Sequence, residues 1–317
     1  MKKILFFISI LFVSISCVAS VMPATSAFEI SDTEIYGKSD VSTYYNEPYI
    51  KVNGSDLVVR LDEPGALYKM CHKHFNYVDT NSEYGEQVWS NITNVTMYGT
   101  IDARDFSTLK WNFRNLKDVD LSGTRITGYS GKYGTNEGYY DGGVYSVYNA
   151  NEVPIGAFFY WQNNRIREFP NELYDEGMAS LQSVKLPEGV KTIRRNAFAR
   201  AYNLKEINVP EGVERIEMVA FRYCTSIEKL YLPSTIKNIG WLAFTDMYSL
   251  KEVHIKARYI PSENQSFGNY PDSDNRGYVI VGDVNYSEKT NAVLYVPAGC
   301  KANYKAWEKY FVKIVEE

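Results

Sequence analysis

Three consecutive stretches of this chain are variations on one unit. LQSVKLPEGVKTIRRNAFARAYN begins at Leu181, LKEINVPEGVERIEMVAFRYCTS at Leu204 and IEKLYLPSTIKNIGWLAFTDMYS at Ile227, so each start lies 23 residues after the last. A fixed period of this size marks a stacked array, in which each supersecondary unit buries its apolar face only against its neighbours. The spacing therefore predicts a solenoid rather than a globule around one central core. Within the unit, Val184 and Leu186 share one side of a short strand that Pro187 ends, while Lys185 points the other way. The second half supplies another buried row: Val190, Ile193, Ala197 and Phe198. It returns as Val213, Ile216, Ala220 and Phe221, and again as Ile236, Ile239, Ala243 and Phe244.

Leu-x-x-Leu-x-Leu-Pro, then Ile, then Ala-Phe at this period resembles the BspA-like leucine-rich repeats of bacterial surface proteins, most closely from Leu181 to Ile255. The resemblance implies a right-handed leucine-rich repeat solenoid of the β-rich α/β kind. Such a fold carries a parallel sheet on one curved face and mixed strand/helix caps at both ends, with about eight coils in all. It also implies a cell-surface or secreted binder, since some members of the family are adhesins for host matrix proteins.

Outside the regular units the pattern loosens. LKDVDLSG from Leu116 has the strand pattern, but its Ala-Phe half returns only at Ala157-Phe158, which predicts an insertion over 124–151. IREFPNELYDEGMAS from Ile166 reads as a shortened unit, and the stretch from Ile92, 24 residues before Leu116, as a degenerate first repeat. The polar stretch 259–290 reads as a second insertion, a long loop leaving the coil. Thus 92–290 is the repeat array. Residues 47–91 form an N-terminal cap, with a strand over Leu57–Leu61 and a helix carrying Leu67, Met70 and Phe75. Residues 291–317 form a C-terminal cap, a strand followed by a helix with Trp307, Tyr310 and Phe311. Caps shield the ends of such a stack.

Residues 1–27 combine Lys2 and Lys3 with an apolar run from Ile4 to Ser16 and then small residues, the pattern of a secretory signal peptide; 28–46 reads as a linker. Two processing routes remain open. Cleavage near Ala19 or Ala27 releases a soluble protein, whereas Ser16-Cys17 loosely resembles a bacterial lipobox that would leave Cys17 as the lipidated first residue of an outer-membrane lipoprotein, although Ser14 departs from that box. The whole chain has a formal charge of −4. Loss of the two leader lysines makes it more acidic, and nothing in this balance suggests nucleic acid or an anionic membrane as partner. Cys71, Cys224 and Cys300 are too few and too scattered for a disulfide framework, and Cys224 reads as a packing residue.

Reactive motifs are absent: there is no Gly-x-Ser-x-Gly, His-Glu-x-x-His, phosphate loop or dinucleotide fingerprint. Cys71 and His74 sit three apart on a predicted helix, but two ligands do not make a metal site. Asp272, Asp274, Gly277 and Asp283 echo a calcium loop, with Arg276 where a ligand belongs. Neither cofactor nor metal is expected, and no catalytic residue is assigned. The binding expectation rests on the strand faces. One outward row reads Ser183, Glu206, Lys229 and Glu252, a ladder of charge. The other reads Lys185, Asn208, Tyr231 and His254, chemically mixed and suited to reading a ligand.

The chain also holds 27 tyrosines, and the first insertion crowds Tyr139, Tyr140 and Tyr145 among glycine and serine. That composition resembles antibody combining loops, where tyrosine supplies area and small residues adapt around it. An equally open reading has these rings fold back over the solenoid. The sequence thus predicts an adhesin-like, non-enzymatic binder of an extracellular protein or glycan. A structural envelope component, or a glycoside-active enzyme with paired carboxylates and the tyrosine loop as sugar platform, are the alternatives.

Overall fold

Phe158, Phe198, Phe221, Phe244 and Phe267 lie one above the next, fully buried, with neighbouring ring centroids 5.1–5.3 Å apart and planes tilted by 11–20°. The preceding residue must be small for the coils to approach this closely, and Ala157, Ala197, Ala220 and Ala243 are all at 0% exposure. The backbone follows the rings. Each Phe N–H donates to the carbonyl of the residue before the next Phe, at 2.8–2.9 Å from Phe158 to Phe244.

The architecture comes from a computed structural model, which describes residues 47–75, 89–136, 145–160, 176–263, 266–268 and 289–317. From Pro48 onward these belong to one unit. Three main sheets run along it. The first has six strands, in the order Tyr49–Asn53, Asp56–Leu61, Asn94–Ile101, Asp118–Ile126, Ser183–Lys185 and Glu206–Ile207. A third, of four, continues with Lys229–Leu232, Glu252–Ile255, Val293–Val296 and Lys313–Glu316. The second is built from the other half of each coil: Glu152–Val153, Thr192–Ile193, Arg215–Ile216, Asn238–Ile239 and Ser262–Glu263. Pairing is parallel throughout the second and third sheets, and in the first everywhere but the opening hairpin Tyr49–Asn53/Asp56–Leu61.

Several expectations need correction. The stretch from 259 is not a loop at its start: Ser262–Glu263 joins the second sheet and Phe267–Gly268 pairs with Phe244–Thr245. Phe267 keeps the 23-residue period from Phe244, and Ser266 replaces the usual alanine, its buried hydroxyl donating to the Ile239 carbonyl at 3.0 Å. The first insertion starts later than expected, because Gly123–Ile126 still pair with the strand Asn94–Ile101 and Ile126 is core. It opens as a hairpin, Tyr129–Gly131 against Ser146–Tyr148. The shortened unit from Ile166 and the calcium-like residues 272–283 lie mostly or wholly outside the described residues.

The C-terminal helix is 3₁₀ over Lys301–Lys309, not α. Tyr304, Trp307 and Tyr310 recur every third residue and all are buried, which matches three residues per turn. The chain then adds an unexpected strand, Lys313–Glu316. Trp307 and Phe311 pack on Phe267, each at 5.1 Å, while at the other end Phe106 meets Phe158 edge-on at 6.1 Å. Aromatic residues of the helix Ala103–Asn112 at one end and of the C-terminal cap at the other therefore close the phenylalanine column.

Phe106 belongs to helix α2 (Ala103–Asn112), which follows helix α1 (Leu67–His74). One carboxylate ties the two together. Asp105 accepts from the N–H groups of Gly65 (2.7 Å), Leu67 (3.0 Å) and Asp102 (2.9 Å), so it holds the start of α1 and completes the capping box of α2. Lys110 of α2 is also fully buried; its ammonium donates to the carbonyls of Thr135, Gly156 and Phe159 at 3.1–3.3 Å, joining the first insertion to the Ala157-Phe158 coil.

Tight corners recur with the period. Asn196, Val219 and Leu242, each just before Ala-Phe, have φ of 57°, 52° and 55°. Asparagine tolerates this left-handed conformation, whereas a β-branched residue is strained there by about 1 kcal/mol or more. Val219→Asn, which copies the neighbouring coil, should therefore raise the thermal midpoint and add about 1 kcal/mol in urea unfolding; an unchanged or lower midpoint would refute the strain.

Burial pushes the Asp105 carboxyl up to about 6, against the three N–H donors. The folded protein then binds an extra proton between the unfolded value of about 4 and 6, so this group's contribution to stability is present at acid pH and lost as pH rises through that window. The cost of Asp105→Asn in urea should accordingly shrink from pH 4 to pH 7. A cost that grows over that range would reverse the assignment.

Candidate recognition face

The outward row of the third sheet is its most distinctive surface. In register, Tyr231, His254 and Tyr295 stand side by side on adjacent strands. Their rings are stacked: Tyr231 on His254 at 4.8 Å and 16°, His254 on Tyr295 at 4.4 Å and 4°. Parallel pairing places side chains one strand spacing apart, close to the separation of stacked rings, so the sheet itself sets the stack. Tyr231 ends the column and is 53% exposed.

Charge surrounds the rings. The His254 Nδ1 lies 2.9 Å from Glu317 Oε1 and its Nε2 lies 3.1 Å from Glu252 Oε2. Both contacts are N–H···O bonds at once only when the ring carries both protons. Glu252 also takes the Lys229 ammonium at 2.9 Å, which realises part of the expected charge ladder. Lys229, and after it His254, hold the Glu252 carboxyl below its ordinary value.

The other members of the expected row lie elsewhere. Lys185 belongs to the first sheet and Asn208 lies just past its last strand; the ladder there ends at Val184↔Ile207 and does not continue to the strand at Lys229. Lys185 is exposed and pairs with Asp120 at 3.4 Å. Asn208 is committed to the backbone: its Oδ1 accepts from the Leu186 N–H at 2.6 Å and its Nδ2 donates to the Leu186 carbonyl at 3.3 Å. A side-chain amide in that place competes with strand pairing and leaves little for a ligand. Tyr295 was missed by sequence reasoning. Its signal is Leu294-Tyr295-Val296-Pro297, which repeats Leu230-Tyr231-Leu232-Pro233 across the polar stretch.

The described tyrosines of the first insertion divide between buried and exposed positions. Tyr148 is buried, stacks with Tyr129 at 6.1 Å and accepts the Asn136 N–H at 2.8 Å. Arg104 lies 4.5 Å over the Tyr129 ring. Tyr145 and Tyr133 instead project, at 65% and 68% exposure. Tyr139, Tyr140 and Cys17 lie outside the described residues.

The three described cysteines are packing residues. Cys71, Cys224 and Cys300 are free and buried; burial pushes the thiols of Cys71 and Cys224 far up, and Cys224 Sγ donates to the Phe198 carbonyl at 3.1 Å. His72 and His74 are exposed on α1 while Cys71 faces the core, so they do not converge. Among the described residues no group of three His, Cys, Asp or Glu could hold a metal, and no helix is long and apolar enough to cross a membrane.

Lys229→Met should move the Glu252 midpoint upward in an NMR carboxyl titration. Because a depressed carboxyl supports the fold above its unfolded value and loses that support as pH falls, the variant should also lose part of the wild type's acid-side slope in stability. An unmoved midpoint would mean that the pair does not operate in solution.

Residues 164–272 match the family described as BspA type leucine rich repeat region, in six copies. Three solved structures are similar at low identity. A leucine rich repeat protein of T. pallidum is 13% identical, over 86% of this chain and 81% of that one, with a TM-score of 0.35. The pneumococcal vaccine antigen PcpA is 18% identical over 72% of this chain and 63% of its own, with a TM-score of 0.32. A leucine rich cell surface protein of Faecalibacterium prausnitzii is 15% identical over 85% and 73%, with a TM-score of 0.29. No curated protein matches the chain.

Proposed function

We propose that this chain, whose residues 164–272 are a BspA type leucine-rich repeat region, is an exported recognition protein that binds an extracellular protein or glycan. The observation that carries this reading is the Tyr231–His254–Tyr295 column, outward on a parallel sheet and bordered by Lys229, Glu252 and Glu317. Such a surface offers an open aromatic face at Tyr231, ring edges and hydroxyl tips along the column, and charges of both signs within reach. These recognise a partner by area, stacking and hydrogen bonds, with no reactive group needed. The exposed Tyr145, with Tyr139 and Tyr140 beside it in sequence, supplies a second contact on the hairpin.

The signal-like residues 1–27 support export to the bacterial surface or medium. Acylation of Cys17 would anchor the protein there. Among the described residues the carboxyl pushed up toward the range of a general acid is that of Asp105, and its oxygens are taken by three backbone N–H groups, which supports a structural role for it over a catalytic one.

The test is a binding screen of the exported protein against immobilised matrix proteins and glycans. Saturable binding to one of them should weaken about tenfold or more in Tyr231→Ser/Tyr295→Ser and in Tyr139→Ser/Tyr140→Ser/Tyr145→Ser, at unchanged thermal midpoints. Binding that survives both sets, or none across the panel, would remove the recognition reading and favour an envelope component.

A further inference from the structure

The second sheet carries a cleft that the recognition face does not use. It encloses about 570 Å³ over the inner strands at Arg215–Ile216 and Asn238–Ile239, a size that suits a ligand of a few rings. Its floor includes Ile155 and Met218, and part of it is bare backbone at Gly240. The matching positions of the two preceding coils carry Arg194 and Glu217. At 240 a Cβ would meet the Met218 N–H nitrogen at 2.4 Å, so no side chain fills the space.

The walls bring together three guanidinium groups from two coils: Arg194, Arg195 and Arg215. Arg194 spends Nε on Glu217 (2.9 Å) and Nη1 on Glu152 (2.6 Å), leaving further N–H donors of its fork. Glu217 Oε2 also accepts the Arg195 backbone N–H at 3.0 Å. Arg215 is exposed and makes no ion pair among the described residues. Beside it in register stand Asn238 and Ser262, an amide and a hydroxyl. The cleft therefore has an excess of cation, one guanidinium open for bidentate pairing, neutral donors and acceptors next to it, a carboxylate that can accept hydroxyl protons, and an apolar floor.

We propose that this cleft binds an acidic glycan, holding the carboxylate of a uronic acid residue on Arg215 and reading ring hydroxyls with Asn238, Ser262 and Glu217. A planar carboxylate fits the guanidinium fork, and the C–H face of the sugar ring lies on Met218 and Ile155. The same walls disfavour an acidic peptide. Glu217 opposes a second carboxylate close to the one on Arg215, and an extended peptide docks by pairing with a sheet edge, whereas Arg215 and Asn238 lie on strands paired on both sides and, of the cleft's strands, Ser262–Glu263 alone lies at the edge.

The experiment is calorimetry on the full exported chain with a short oligogalacturonate, its methyl-esterified form and hexaglutamate. The acid oligomer should bind, weaken as salt rises, and bind about tenfold or more tightly than the ester. Arg215→Gln and Asn238→Ala should each weaken it at an unchanged thermal midpoint, the former by about tenfold. Tyr231→Ser should leave it untouched, which separates this site from the recognition face. No binding of the acid oligomer, equal binding of the ester, tighter binding of hexaglutamate, or indifference to both cleft substitutions would each overturn the proposal.

Discussion

The column of stacked phenylalanines sets the geometry on which everything else depends. Its ring spacing of 5.1–5.3 Å nearly equals the distance between hydrogen-bonded strands, about 4.8 Å. One rise per coil therefore serves both the apolar column and the ladders on its flanks. An alanine or a buried serine before each ring is the condition for that rise, and the left-handed corners at Asn196, Val219 and Leu242 are part of what the chain accepts to meet it. Stability in such an array is close to a sum of units and nearest-neighbour contacts, so aromatic closure at Phe106 and at Trp307 and Phe311 matters as much as any interior coil.

The same rise lines up the outward side chains, and each sheet displays a different chemistry. The first is largely self-satisfied: Lys185 answers Asp120, Ser183 donates to Asp118, and Asn208 caps the backbone of Leu186. The third presents stacked rings. The second presents arginines on a bare floor. The interruption after the strand Glu206–Ile207 keeps the first two of these surfaces from merging.

The repeat was legible because it is written in residue types that have little freedom. Leucine, proline and Ala-Phe at a period of 23 allow one kind of stack, and both buried rows followed from them. Phe267 and Tyr295 were equally written, at the right spacing and in the right tetrapeptide, but polar neighbours masked them. What could not be read was set by contacts between distant segments. Nothing near Asp105 in sequence announces Gly65 and Leu67 as its partners. Arg194 and Arg215 look like ordinary surface residues until the coil register brings them together. Asn208 shows the limit of pattern: its position in the row was sound, yet its amide turned back to the strand beside it.

Lys110 deserves a last consequence. Its ammonium donates to three carbonyl oxygens, those of Thr135, Gly156 and Phe159, at 3.1–3.3 Å. Many extracellular modules fasten their irregular segments with calcium and come apart when the ion is scarce. Here the cation is part of the covalent chain. The contacts that Lys110 makes between the hairpin and the coil therefore need no bound ion and do not depend on the mineral content of the medium.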